Sequence, residues 1–150
     1  MEPEKTSEKD NKGLQFPEPV VGGVIINREG KILLIKSHKW SNKYVIPGGH
    51  IELGEHAVDT LKREIKEETG LDVHDIRFLG FQECIFDENY WKRKHFILLD
   101  FVCKTDSNDV KLNDEGEEFV WVTVNEALEL DLELYTRKAI ETYLARVQKD

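Results

Sequence analysis

The chain has 150 residues, a length that suits one folded domain with a single hydrophobic core. Hydrophobic residues make up 39% of the chain and charged residues 34%, which excludes a largely disordered or membrane-embedded protein. The net charge of −9 disfavours nucleic acid as a partner and predicts that a small anionic substrate needs a metal ion to neutralise it.

The amino terminus is polar and carries few large apolar residues, so we interpret residues 1–16 as a flexible tail and residues 17–150 as a single domain. No apolar stretch approaches the roughly 20 residues of a membrane-spanning helix, and the first residues lack the apolar centre of a secretory signal. We therefore expect a cytoplasmic protein without a membrane partner. Cys84 and Cys103 lie in apolar runs without zinc-type spacing and are predicted to be buried thiols.

The domain is predicted to begin with two paired strands. Residues 20–27 and 31–36 form β-branched or aliphatic runs, and a short glycine-containing turn separates them. A third short strand, 44–46, is followed by Pro47 and two glycines, which end the strand and permit a sharp turn.

The clearest helix is predicted over residues 55–69. Val58, Leu61 and Ile65 recur there at helical spacing, so they form an apolar stripe that should anchor the helix to the core. Gly70 stands where a helix commonly takes a left-handed cap.

The second half is predicted to contain two long strands, one short strand and two helices. Residues 73–86 and 94–104 form the long strands, and a capping box at Thr123 and Glu126 follows the short strand 119–122. An apolar stripe near the carboxyl end predicts a final amphipathic helix. The irregular alternation of strands and helices along the chain predicts an α/β fold with a mixed β-sheet between helices, an α/β/α sandwich.

Three glutamates are the main chemical feature of the predicted helix. Glu64, Glu67 and Glu68 stand at i, i+3 and i+4, so their carboxylates project from one face about one turn apart. The like charges repel, which indicates that a cation compensates them in the working protein. Carboxylate oxygens suit Mg²⁺, which binds one or two carboxylates together with substrate phosphates, and Mn²⁺ is the alternative ion.

The segment from Gly49 to Leu71 reads GHIELGEHAVDTLKREIKEETGL, and it places Glu55, Arg63 and Gly70 at fixed distances from the three glutamates. At every fixed position it resembles the Nudix box, G-x5-E-x7-R-E-U-x-E-E-x-G-U, where U is an aliphatic residue. The chain is thus similar to MutT-like members of the Nudix hydrolase family. The resemblance implies a Nudix-type α/β/α sandwich for everything except the tail.

The resemblance also implies roles for the residues of this segment. The metal ligands would be Glu64, Glu67, Glu68 and the backbone carbonyl of Gly48, and the three glutamates would also be the catalytic residues. Glu64 is the candidate general base, and family members differ in which glutamate or loop residue takes that role. The residues that would support the motif are Gly49, Glu55, Arg63 and Gly70.

Other residues are candidates for substrate contacts. Lys36 ends the second strand, where family members often place a basic residue on phosphate, and the rings of Trp40 and Tyr44 can stack on a base. For each of the three, an ordinary surface or core role stays open. In related enzymes a later loop sometimes supplies another carboxylate, and here that loop carries Glu115, Glu117 and Glu118.

The resemblance implies Mg²⁺-dependent hydrolysis of a phosphoanhydride bond in a nucleoside diphosphate derivative, and MutT-like members favour a nucleoside or deoxynucleoside triphosphate. ADP-ribose, dinucleoside polyphosphates and nucleotide sugars stay open, because the motif contacts only the diphosphate. A hypothesis of another class is a non-catalytic nucleotide-binding sensor, which the intact motif disfavours. The expected partner is a small nucleotide, and a homodimer is compatible with the family.

Overall fold

The computed structural model describes residues 15–149, so residues 1–14 of the predicted tail and Asp150 lie outside the described residues. The strands are β1 (Glu18–Ile26), β2 (Ile32–Ser37), β3 (Lys43–Val45), β4 (Gly48–His50), β5 (His74–Ile85), β6 (His95–Lys104) and β7 (Glu118–Val122). The helices are α1 (Ala57–Thr69), α2 (Val124–Leu128) and α3 (Leu134–Lys149), and a 3-10 turn spans His38–Trp40.

The described strands belong to one mixed sheet. β1 runs parallel to β6 from Glu18 opposite Phe96 to Ile26 opposite Lys104, whereas the other pairings are antiparallel. β5 lies beside β6 at one edge, and β3 and β7 pair with β2. β1 and β2 pair only where Ile26 faces Ile32, so the two strands separate beyond that point, and β4 pairs with β1 instead.

Two hydrophobic cores lie on opposite faces of this sheet. Along β2, Leu33 and Ile35 pack with α1, whereas Ile32 and Leu34 pack with α2 and α3. Because successive side chains of a strand point to opposite faces, one continuous aliphatic run fills both cores. The predicted α/β/α sandwich with a mixed β-sheet is confirmed.

Helix α1 is anchored to the sheet by Leu61 and Ile65, which are both fully buried. The prediction that Val58 belongs to the same anchor is wrong, because this side chain is 39% exposed. The buried face is centred near Leu61 and Glu68, and Val58 lies about 60° away from Leu61 around the helix axis, at the margin of that face. Gly70 closes the helix with a φ of 78°, as predicted.

Several smaller predictions are also confirmed. Thr123 and Glu126 form the capping box at the start of α2. Cys84 and Cys103 are free thiols with buried side chains. Among the described residues, no helix is long and apolar enough to cross a membrane.

We predict that Ile65→Ala lowers the free energy of unfolding by about 2–5 kcal/mol, because it leaves a cavity beneath the helix that carries the glutamates. Val58→Ala on the same helix is the matched control and should cost less than about 1 kcal/mol, since that side chain is 39% exposed. Urea unfolding followed by circular dichroism measures both. Equal losses for the two variants would contradict the packing of α1.

Candidate active site

A cavity of about 350 Å³ lies among β1, β4, β6, α1 and the start of α3. Its wall has two chemically different parts. The acidic part consists of Glu64, Glu68 and Glu115, and the aromatic part consists of Trp40, Tyr90, Phe96 and Tyr135. The cavity therefore offers carboxylate oxygens and flat apolar rings to the same ligand.

The acidic part joins two elements that are distant in sequence. Glu64 and Glu68 come from α1 and Glu115 from the loop between β6 and β7, and one carboxylate oxygen of each lies within 4.8 Å of the other two. Glu67 does not belong to this cluster, because its side chain is 49% exposed and pairs with Arg63 at 3.1 Å. The helix geometry explains the difference, since Glu64 and Glu68 lie about 40° apart around the axis and Glu67 about 100° from Glu68.

Glu68 is the most buried member of the cluster. Burial raises its pKa to about 9, and the nearby carboxylates of Glu115 and Glu64 add to this effect. Its Oε2 atom is sealed from solvent and accepts no hydrogen bond from any described residue. Burial also raises the pKa of Glu64. A cation between these oxygens would relieve the repulsion and give the orphaned atom a partner, so the residues fit a divalent metal.

Glycine is required at two positions beside the carboxylates. A Cβ atom on Gly49 would collide with the carboxylate of Glu64, and one on Gly48 would collide with the backbone carbonyl of Val21. Both glycines line the cavity, so the missing side chains let the backbone approach the acidic part. This gives the predicted supporting role of Gly49 a steric reason, while the carbonyl of Gly48 remains a predicted ligand.

Arg63 connects the loop before α1 to the acidic part. Its Nε and Nη2 atoms donate to the two oxygens of Glu55 at 2.7 and 2.9 Å, a bidentate pair. Its Nη1 atom donates to Glu64 at 2.8 Å. The Arg63 guanidinium lowers the pKa of Glu55 to about 2, and the backbone amide of Glu52 adds to this effect. Arg63 therefore holds Glu64 in a fixed orientation.

Among the three predicted substrate contacts, the cavity wall includes Trp40 and does not include Lys36 or Tyr44. Lys36 and Tyr44 face each other across β2 and β3, and Lys36 pairs with Glu118 at 3.1 Å. The alternation of side chains along β2 explains this, because its neighbours Ile35 and Ser37 line the cavity and Lys36 points to the other face.

Several wall residues were not assigned to a site from the sequence. Lys39 lines the cavity, and its Nζ atom lies 2.7 Å from Glu115. In the aromatic part, the ring centroids of Trp40 and Tyr90 are 4.5 Å apart, and those of Tyr90 and Phe96 are 5.1 Å apart. These contacts join distant segments of the chain. The one feature of the local sequence that could have indicated the aromatic part was the aromatic loop before β6.

Carboxylates gathered beside a cavity in this way are typical of enzymes that hydrolyse phosphate compounds with a divalent cation. A family model described as the NUDIX domain matches residues 16–143. The nucleoside triphosphatase NudI of Escherichia coli O81 (strain ED1a) is 30% identical over 126 residues, which cover 77% of this chain and 89% of that protein. The chain therefore belongs to the Nudix family, and it is a Nudix phosphoanhydride hydrolase.

Solved structures agree with this assignment. A MutT NUDIX hydrolase from Burkholderia pseudomallei is 26% identical with a TM-score of 0.74, and the match covers 85% of this chain and 98% of that one. The MutT protein from Methanosarcina mazei Go1 is 28% identical with a TM-score of 0.73, and the match covers 91% of this chain and 99% of that one. Nudix hydrolases generally use a divalent metal, which is consistent with the acidic part of the cavity.

We predict that, with a chelator present, Glu68→Gln raises the free energy of unfolding at pH 8 by about 1–3 kcal/mol. The pKa of Glu68 is about 9 in the folded protein, against 4.5 for an ordinary glutamate. Between these pH values only the unfolded chain ionises at this position, and ionisation stabilises it. The wild type therefore loses stability as the pH rises. The benefit of the substitution should be small at pH 5 and grow towards pH 8, as urea unfolding at each pH would measure.

Glu67→Gln on the same helix is the control for this prediction. Its side chain is 49% exposed, so the substitution should change stability by less than about 1 kcal/mol at either pH. Added Mg²⁺ should stabilise the wild type more than Glu68→Gln, because an ion that binds only the folded state adds to its stability. A gain for Glu68→Gln that is equal at pH 5 and pH 8 would contradict the raised pKa.

Proposed function

We propose that residues 17–150 form one domain that hydrolyses a nucleoside triphosphate to a nucleoside monophosphate and pyrophosphate with Mg²⁺. The observation that carries this proposal is the presence of the acidic part and the aromatic part in one cavity. A nucleotide has the same two components, since its phosphate chain binds through cations and its base stacks on aromatic rings. The name of the 30% identical relative, nucleoside triphosphatase, supports a triphosphate over other nucleotides.

Glu64, Glu68 and Glu115, with the backbone of Gly48, would hold the cation, and Glu67 on the same helix stays a further predicted ligand. A bound divalent cation neutralises charge on the phosphates and lowers the pKa of water, which makes water a usable nucleophile. The donors are all oxygens, which favours Mg²⁺ and leaves Mn²⁺ as the alternative. Lys39 in the same wall adds a positive charge for the phosphate chain.

Glu64 is the proposed general base. Its carboxylate lines the cavity, and Arg63 fixes one of its oxygens at 2.8 Å. Burial raises the pKa of this carboxyl above the ordinary value. Glu64 therefore has the position to take the proton from the attacking water.

The proposal is tested by chromatography of products after incubation with nucleoside triphosphates, ADP-ribose, dinucleoside polyphosphates and nucleotide sugars, each with Mg²⁺ and with chelator. We expect release of a nucleoside monophosphate and pyrophosphate from triphosphates, and we expect chelator to abolish it. Turnover confined to another substrate class would replace the proposed substrate. Products that form equally well in chelator would contradict the role of the acidic part.

For the base, we predict that Glu64→Gln lowers kcat at least about 100-fold, because general-base catalysis typically contributes 10²–10⁴-fold. Binding of the substrate, measured by calorimetry on the inactive variant, should remain within about tenfold of the wild type. Glu141→Gln changes an exposed glutamate on α3 that does not line the cavity, so it is the matched control and should keep most of the activity. Turnover by Glu64→Gln within about threefold of the wild type would refute the assignment of the base.

A further inference from the structure

β6 carries a buried acid that the acidic part does not include. Phe96, Leu98 and Asp100 alternate along β6 and all line the cavity, so they share one face of the strand. Asp100 is only 7% exposed. A carboxyl group among apolar side chains costs free energy unless it makes compensating contacts, so its presence in this wall requires a reason.

One oxygen of Asp100 is used by the protein and the other is free. Oδ2 accepts a hydrogen bond from Nε2 of Gln82 at 2.8 Å, and the same Nε2 donates to the carbonyl of Tyr135 at 2.9 Å. Both amide hydrogens of Gln82 are thereby used, and the carboxyl is held in one orientation. No described residue donates to Oδ1, and Oδ1 is not among the atoms sealed from solvent.

Glu133 is the second buried acid in this region of the wall, and its oxygens are already occupied. They accept hydrogen bonds from the backbone amides of Tyr135 and Thr136 at the start of α3. Glu133 therefore caps α3 and has a structural role. Of the two acids, Asp100 is the one with an oxygen left for a ligand.

The charge state of Asp100 decides what it can bind. Burial raises its pKa to about 6, and Glu133 adds a smaller effect in the same direction. At pH 8 the carboxyl is therefore ionised and offers only hydrogen-bond acceptors. A base held by the aromatic part presents its polar edge to such an acceptor, which attracts an amino group and repels a carbonyl oxygen.

We infer that Asp100 determines base specificity by accepting a hydrogen bond, through Oδ1, from an exocyclic amino group on the base of the substrate. The inference rests on the proposed function, because it requires a nucleotide in this cavity. It predicts that cytosine is preferred to uracil and adenine to hypoxanthine. A hydrogen bond to a charged group makes this preference about 10- to 100-fold in kcat/KM.

The test compares kcat/KM for CTP against UTP, and for ATP against ITP, at pH 8 in the wild type and in Asp100→Asn. In each pair an amino group replaces a carbonyl oxygen, and the adjacent ring nitrogen is an acceptor in cytosine and adenine but an N–H donor in uracil and hypoxanthine. A wild-type preference for UTP and ITP would therefore overturn the inference. In the variant, Gln82 still donates to the amide oxygen, so the amide NH₂ faces the cavity and donates instead of accepting. We expect the preference for the amino member to fall to about one or to reverse.

Two further variants sharpen the comparison. Asp131→Asn changes an exposed aspartate that does not line the cavity, and it should leave both ratios unchanged. Gln82→Leu removes the donor that orients Asp100 and that lowers its pKa, so it should lower the preference although the aspartate itself is retained. Each ratio is measured within one preparation, so partial unfolding of a variant does not affect it.

The outcomes separate the inference from the proposed function. Absence of triphosphate hydrolysis overturns the proposed function. Hydrolysis of both members at equal kcat/KM by the wild type overturns the inference alone, whatever the variants do. An unchanged ratio in Asp100→Asn also overturns the inference. The hydrogen bond between Asp100 and Gln82 would then only connect β6 to β5.

Discussion

The bidentate pair between Arg63 and Glu55 joins the loop that follows β4 to the first turns of α1, and the geometry of the site depends on it. The same guanidinium reaches Glu64 and the backbone carbonyl of His50. One side chain therefore sets the distance between the glycine-containing strand β4 and the helix that carries the carboxylates. A guanidinium suits this position because its planar fork keeps both contacts to Glu55 in one orientation.

The carboxylates of the site are buried close together at a cost in folding free energy, and the packing of the core must offset this cost. Glu68 is buried with an unpartnered oxygen, beside the carboxylates of Glu64 and Glu115. The helix tolerates this arrangement because Leu61 and Ile65 are fully buried on the same element. Stability given up in this way is common at catalytic sites, where groups are arranged for a ligand rather than for the folded state alone.

The sequence predicted features that depend on local spacing and missed those that depend on tertiary contact. Helix α1, its glycine cap and the proximity of Glu64 and Glu68 follow from helical periodicity. Glu67 has the same spacing, but its side chain pairs with Arg63 and lies outside the cluster of Glu64, Glu68 and Glu115, so its role as a ligand stays a prediction. The sequence indicated Lys36 as the candidate phosphate contact. Side chains alternate along β2, so Lys36 points away from the cavity, and Lys39 beyond the strand end lines it instead.

Other parts of the site could not have been found by spacing. Glu115 was one of three acidic candidates in its loop, and only the packing of that loop against α1 distinguishes it. Tyr90 and Tyr135 lie 45 positions apart in the chain, and both rings pack on Trp40 in the aromatic part. Asp100 had a local signal, an acid inside an otherwise apolar strand, which the overall hydrophobicity of β6 obscured.

The acidic part and the aromatic part are built on different elements, and this separation bears on how such enzymes diverge. The carboxylates depend on α1, β4 and one loop, whereas the aromatic rings come from the 3-10 turn, the loop before β6, β6 itself and α3. Substitutions in the second group change the rings that line the cavity without disturbing the carboxylates. Gene duplicates of such a chain can therefore change the shape of the cavity by drift in the elements that carry the rings, while selection maintains the helix that carries the carboxylates.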